Sequence, residues 1–327
     1  MRRVTIKDVA KAAGVSRALV SIAYRGAQGV SEATAKRIFA VGAKLGYVPN
    51  LNAARLASKG TKTIGVFLQD LHNEVFADIF DGIRSVINED QVQVVIAVGS
   101  AKPGHDVSAL ETLIASRVNV ILAVGLTMDD QSIKSFTNRI NLISVTRKIS
   151  GGFSVLANDF LGAKLATRHL LELGHKRVAF LSNPQTDGYR DRLRGYEKTM
   201  SEAGLKSFVW ESTYLRVEAE LDAGELIDTY QPTAIFAHND QAALGVLDAI
   251  VSRKLRPGID VSVVGYDNTS LSQTPILALS TIDPHSFQLG ETSAKVALEI
   301  LEGNPVTQDV IELIPDLMVR SSSRPIS

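Results

Sequence analysis

A chain of 327 residues, 45% hydrophobic and 21% charged, has the length for two or three globular domains and too much apolar content for a disordered one. It has no cysteine, which excludes disulfide staples, cysteine-ligated zinc and thiol nucleophiles and suits a reducing compartment. Its 35 basic and 35 acidic side chains cancel, yet residues 1–60 hold eleven Lys and Arg against two acids, while residues 61–327 hold 24 against 33.

A basic module on an acidic body is the charge distribution of a nucleic-acid reader, because counterion release rewards cations concentrated against phosphates; a solvated basic tail would give the same count. The opening MRRVTIKDVAKAAG runs into a charged, helix-periodic segment in place of the apolar stretch of a signal peptide. No run approaches the roughly 18 apolar residues of a membrane span, so a soluble chain is expected.

Thr5 followed by Asp8 forms a capping-box pattern, and Ile6, Val9, Ala10 and Ala13 then repeat along one face of a first helix. Gly14 marks a sharp turn, Val15 anchors it, and Ser16 caps a second helix running to about Tyr24. Two helices this close must cross steeply, which is helix-turn-helix geometry. Val20 and Ala23 face inward on the second helix, leaving Arg17, Ala18, Ser21 and Ile22 outward. There Arg17 can bond guanine O6 and N7, Ala18 or Ile22 can touch a thymine methyl, and the helix N-terminus favours a phosphate. A third helix starts at Ser31, carries Ile38, Val41 and Leu45 on its packed face, and stops at Gly46. After Pro49, Asn50 can cap a segment, LNAARLASKG, too short to be a stable helix alone.

The run VTIKDVAKAAGVSRALVS, with SEATAKRI and LGYVPN after it, resembles the headpiece of the LacI/GalR (lactose and galactose repressor) family. The resemblance implies a DNA-contacting set of Thr5, Ser16, Arg17, Ala18, Ser21 and Ile22 in the major groove, with Asn50, Ala53 and Leu56 on a hinge helix that orders in the minor groove of a dimer's site. Leu56 stands where the family places a leucine wedge between base pairs, which bends the duplex and adds shape readout; an apolar anchor in an ordinary linker is the alternative. Leu19, where the family usually has Thr, and Ile22, where many members have Arg, depart from the pattern, so no operator sequence is carried over.

Beyond the linker, apolar runs at Ile64–Leu68, Val94–Val98, Val120–Val124 and Leu142–Val145 alternate with helical stretches, and the cycle repeats at Val178–Leu181, Phe208–Trp210, Ala234–Ala237 and Val261–Val264. The predicted fold class is α/β: a three-helix helix-turn-helix headpiece and a body of two doubly wound parallel-sheet lobes. Two such lobes hold a ligand cleft at the carboxyl ends of their strands. The segments GHKRVAF, DRLRGY, PTAIFAHNDQAALG, SVVGYDNT, LSTID and VRSSS extend the resemblance along the body, which in this family is similar to periplasmic binding proteins. The expected domains are 1–49 (headpiece), 50–60 (hinge), 61–161 with a returning segment near 291–320 (first lobe) and 162–290 (second lobe).

By resemblance, Arg192, Asn239 and Asp267 match polar ligand contacts, and Phe76 matches a residue that often touches ligand. Asp and Asn suit adjacent hydroxyls, and Arg offers a planar fork, so polyols and small anions both fit. Read without the family, Asn239 or Asp240 is equally a helix cap, Asp267 a turn former, Arg192 a solvated side chain and Phe76 a core residue. Where many sugar-binding members carry an acid after the fourth strand, this chain has Thr146 and then Arg147, so one hydroxyl-binding group is missing there and Arg147 joins the candidates.

Gly60, Thr61, Lys62 and Thr63 lack the earlier glycine of a phosphate loop, and no G-x-S-x-G, H-E-x-x-H or metal-spaced histidine cluster occurs. An enzyme is not expected, nor any cofactor or metal. The expected protein is a cytoplasmic, nucleoid-associated homodimeric transcriptional regulator, a repressor by the commoner family behaviour. Its partners are near-palindromic operator DNA and a small effector, a sugar or related metabolite, with no membrane. A solute-binding protein without specific DNA binding is the alternative. The ending VRSSSRPIS carries no leucine heptads, so a dimer is expected rather than a tetramer.

Overall fold

The computed structural model describes residues 4–24, 28–47, 62–88, 91–100, 105–213 and 215–326, and the chain divides into two compact units, Met1–Thr61 and Lys62–Ser327. The first unit contains α1 (Ile6–Ala13), α2 (Arg17–Tyr24) and α3 (Glu32–Leu45) around a small core of Val9, Ala10, Ala13, Val20, Ala23 and Ile38. Gly14 and Gly46 end α1 and α3 at φ 67° and 68°, the left-handed conformation that glycine adopts without a Cβ penalty. Leu45, expected on the packed face of α3, is 39% exposed. The buried stripe runs from Ile38 to Gly42 instead, where the absence of a side chain admits the Tyr24 ring.

The second unit holds two six-stranded sheets. In chain order its elements are β1 (Lys62–Leu68), α4 (Glu74–Val86), β2 (Val92–Val98), α5 (His105–Ala115), β3 (Val120–Val124), α6 (Asp130–Thr137), β4 (Asn141–Val145) and β5 (Phe153–Ala157). There follow α7 (Asp159–Glu172), β6 (Val178–Ser182), α8 (Tyr189–Glu202), β7 (Phe208–Glu211), α9 (Arg216–Tyr230), β8 (Ala234–Ala237), α10 (Asp240–Ser252) and β9 (Ser262–Tyr266). The chain closes with β10 (Ser280–Asp283), α11 (Ser286–Glu302), β11 (Val310–Leu313) and β12 (Asp316–Met318).

One sheet is ordered β11-β5-β4-β3-β1-β2 and is parallel throughout; the other is ordered β12-β10-β9-β8-β6-β7 and is parallel except where β12 pairs with β10. Covered on both faces by helices, such strands read as near-continuous apolar runs, as in the wholly buried VILAV of β3. The central strands therefore fall on the predicted runs. The strands that were not predicted, β5, β10, β11 and β12, are short or polar: in the SerThrIleAsp of β10 the buried Thr281 hydroxyl bonds the Asp240 carboxylate, and Ser280 bonds the Arg320 carbonyl.

The chain crosses between lobes at Asn158, again between Asp283 and Ser286, and again between Leu313 and Asp316. From the sequence the first crossing is expected near Gly162, with one segment near 291–320 returning. The difference comes from β5, which brings the crossing forward to the Asn158 cap of α7, and from β12, which carries the end of the chain back to the second sheet.

In the first lobe α4 packs against α11 with unusual closeness. A Cβ on Gly290 would lie 1.9 Å from the Ile79 carbonyl oxygen, and one on Gly82 would lie 2.0 Å from that of Phe287. Glycine on both helices lets the backbones touch and fixes where the two N-termini, Asn73 to Phe76 and Ser286 to Leu289, meet the cleft.

Candidate functional site

In the first unit the Asp8 carboxylate accepts from the Thr5 N–H at 2.9 Å and the Thr5 hydroxyl at 2.7 Å, fixing the start of α1. The Val15 N–H returns to the Ala10 carbonyl at 3.0 Å, and the Ser16 hydroxyl accepts from the Leu19 N–H at 3.1 Å, so one helix is closed and the next opened within three residues. Val20 and Ala23 are buried, Ser16, Arg17 and Ala18 are exposed, and Ser21 and Ile22 are half-buried beside them. Among the described residues no carboxylate pairs with Arg17. Tyr24 closes the end of α2 against Phe39 and Tyr47, with ring centroids 5.1 and 5.3 Å away, edge to face. Such a short exposed helix start, with an unpaired cation and small neighbours, can enter a major groove and reach base edges. Asn50, Ala53 and Leu56 lie outside the described residues.

In the second unit a cleft, partly open to solvent, lies between the lobes. Phe76, Arg192, Asn239 and Asp267 all line it, although they come from α4, α8, the start of α10 and the loop after β9. Phe76 is 7% exposed and belongs to the first lobe's core as well as to the cleft wall. Arg192 donates from Nε to Asp159 at 2.9 Å and from Nη1 to the His238 carbonyl at 2.6 Å, and its guanidinium lies 3.6 Å from the centre of the Tyr266 ring. Burial alone would weaken its charge, but Asp159, Tyr266 and Asp267 around it together more than offset this and raise its pKa.

Asn239 caps α10 through Oδ1, which accepts from the Ala242 N–H at 2.8 Å, and its amide nitrogen has no acceptor among the described residues. Asp267 is 7% exposed and sits at φ 116°, a strained conformation for an L-residue, with no donor to its carboxylate among the described residues. Burial pushes that carboxyl well above the usual range, and Asp240, Asp159 and Asp187 add to the rise while Arg192 opposes it. Asp240 behind it is buried and pushed up to about 6 by its burial; it accepts from the Thr269 N–H and hydroxyl at 2.9 and 3.0 Å and so fixes the loop that follows Asp267.

Arg147 does not line this cleft. Its Nη1 donates to the Leu126 and Met128 carbonyls at 3.3 and 2.9 Å and its Nη2 to Asp130 at 2.5 Å, on the wall of an adjoining polar hollow. Thr146 next to it does face the cleft, at φ 93°, and its hydroxyl donates to Asp187 of the other lobe. The acid beside Thr146 on this wall is Asp187, from the opposite lobe. Asp187 stands in an unpatterned turn, Asp159 lies outside the recognised segments and His238 lies within one without a spacing of its own, so nothing in the sequence alone singles out any of the three. His238 is held neutral by burial and by Arg192, and its Nδ1 is one of several orphaned buried atoms around the cleft, as is the Ser286 hydroxyl.

Further bonds join the lobes beyond the cleft wall. The Glu74 carboxylate accepts from the Ser270 hydroxyl at 2.9 Å and the Leu271 N–H at 3.3 Å, and the Gln241 amide donates to the His72 carbonyl at 3.4 Å. A cleft lined by polar groups from both lobes is suited to binding a small solute. Among the described residues no helix is long and apolar enough to cross a membrane.

Residues 5–50 match the family of bacterial regulatory proteins called the lacI family, and residues 167–323 match the periplasmic binding protein-like domain. The chain is 29% identical to the HTH-type transcriptional regulator DegA of Bacillus subtilis (strain 168), over 99% of each chain. It is 28% identical to the HTH-type transcriptional repressor PurR of Aliivibrio fischeri (strain MJ11), over 97% of this chain and 98% of the repressor. Its fold is similar to that of the Lac repressor dimer bound to operator and the anti-inducer ONPF, with a TM-score of 0.84, 29% identity and coverage of 99% of this chain and 100% of that one.

Proposed function

We propose, from the premise that this chain belongs to the LacI/GalR family of DNA-binding transcriptional regulators, that it acts as a homodimeric repressor released from or driven onto its operator by a small effector held between its two lobes. The observation that carries this reading is the exposed start of α2, Ser16 to Ala18, backed by buried Val20 and Ala23. Arg17 is the main base reader, with Ala18, Ser21 and Ile22 making shorter contacts and Thr5 and Ser16 positioning the helix starts against phosphates. By the family resemblance, minor-groove contact falls to Asn50, Ala53 and Leu56. The known Lac repressor complex holds both operator and an anti-inducer, which supports the same two partners here. A DNA partner puts the protein in the bacterial cytoplasm, at the nucleoid.

The effector sits against Phe76, Arg192, Asn239 and Asp267, while Arg147 shapes the neighbouring wall. It can shift DNA affinity only by as much as its affinities for two body conformations differ, and the bonds between lobes at Thr146 and Glu74 are present in one of those conformations. The test is selection of binding sites from a palindromic library at two salt concentrations, with and without a panel of small solutes. A sequence-selective fraction that survives moderate salt and responds to a solute is expected. Binding without base preference, or selectivity that no solute alters, would overturn the reading.

A further inference from the structure

The charges on the cleft wall do not balance. Asp159, Asp187 and Asp267 line it, and Arg192 is the one Lys or Arg among the described lining residues. Arg192 is already committed to Asp159, the His238 carbonyl and the Tyr266 ring. Asp187 receives neutral donors only, the Thr146 hydroxyl and the Gly188 N–H. Asp267, more than nine-tenths buried, receives none among the described residues. His238 stays neutral, so it supplies no second cation. A carboxylate held out of water with no cation bonded to it, as that of Asp267 is among the described residues, is costly, and a solute that brought positive charge would lower that cost.

A second observation narrows the chemistry. The Asn239 amide nitrogen, on a side chain 4% exposed, faces the cleft with no acceptor among the described residues, and the Ser286 hydroxyl has no partner. A bare alkylamine would leave Asn239 unanswered. A neutral polyol would answer Asn239 but leave the carboxylate surplus in place, and a carboxylate or phosphate ligand would increase it. Resting on the reading of the cleft as an effector site, we propose that its occupant is a small polyol bearing a protonated amine, an amino sugar or amino alcohol. The ammonium lies toward Asp267 and Asp187, and a neighbouring hydroxyl oxygen accepts from Asn239.

Matched probes that keep the skeleton and change the charge test this: glucosamine, glucose and gluconate; galactosamine, galactose and galactonate; serinol, glycerol and glycerate. Titration calorimetry on the full-length protein at pH 7 and constant ionic strength is expected to find at least one amine bound about tenfold more tightly than its neutral counterpart, with no acid bound. In Asp267→Asn, checked for an intact melting transition, the ratio of amine to neutral affinity should fall close to one; Asp187→Asn should lower the same ratio if the first variant does not fold. An acid or neutral probe binding as tightly as its amine, or silence from all the amines, overturns the proposal. Operator binding that another solute still modulates would then leave the regulator reading standing, so the two failures are distinguishable.

Discussion

Thr146 of the first lobe donates its hydroxyl to Asp187 of the second, across the cleft that also holds Arg192 and Asp267. The bond joins two bodies otherwise linked along this wall by chain crossings, and it does so from a backbone at φ 93°, where a β-branched residue is strained. Strain that survives folding is held by its surroundings, here by the Thr146 N–H bonded to the Val155 carbonyl at 2.8 Å.

Removing either partner should therefore be felt by the other. In a double-mutant cycle of Thr146→Val and Asp187→Ala, urea unfolding should give a coupling energy of about 1.5–3 kcal/mol, the range for a hydrogen bond to a charged group. Strict additivity would mean that the lobes do not rest in this closed arrangement in solution.

Arg17 is exposed at the start of α2 and unpaired among the described residues, which is how a base reader is kept available. Arg17→Ala should cost roughly 1–3 kcal/mol against the preferred operator and relax preference at one position of each half-site. Sequencing of bound fragments before and after the substitution gives the answer, and an unchanged preference would remove Arg17 from the reading set.

Burial holds the Asp267 carboxyl well above the usual range, so the folded protein binds this proton more tightly than the unfolded chain does. Such a group costs stability once the pH rises above about 4, where the unfolded carboxyl ionises, and the cost grows until the folded pKa is passed. Asp267→Asn, which cannot ionise, should melt above the parent at pH 7.5 in the empty protein, with the advantage shrinking as the pH falls toward 4. Calorimetry at several pH values checks the slope. A parent that melts higher at pH 7.5 would mean that its own groups already compensate the charge.

Gly290→Ala would set a methyl group where the Ile79 carbonyl oxygen stands, 1.9 Å from the ideal Cβ position. Two helices would have to separate, an overpacking cost of about 1–3 kcal/mol that lowers the melting temperature by several degrees. Because both helix starts border the cleft, effector response should weaken alongside stability. A variant as stable as the parent would show that the helices part easily.

Much of the architecture was legible because parallel strands covered on both faces must be apolar throughout, and β3 and β8 coincide with their predicted runs. β10 was invisible for the opposite reason: its buried Ser280 and Thr281 are satisfied by groups 40 or more residues away, Arg320 and Asp240, which no local pattern announces. In the headpiece the capping pair Thr5 and Asp8 and the turn at Gly14 could be read directly, since caps are short-range. The cleft was legible only in part. Phe76, Arg192, Asn239 and Asp267 come together on one cleft, but Arg147 turns away to Asp130, and the acid that meets Thr146 comes from the other lobe. Pairings across lobes depend on tertiary placement, which spacing along the chain does not encode.

Because the backbone passes between the lobes three times, neither lobe is a continuous stretch of polypeptide. No single cut separates them: a break after Asp283 strips one of a helix and an edge strand and the other of the strand that borders β10. Ribosomal synthesis delivers the missing pieces of both only after Asp283, so neither sheet is complete before those strands are made, and a truncation at that point damages both lobes at once.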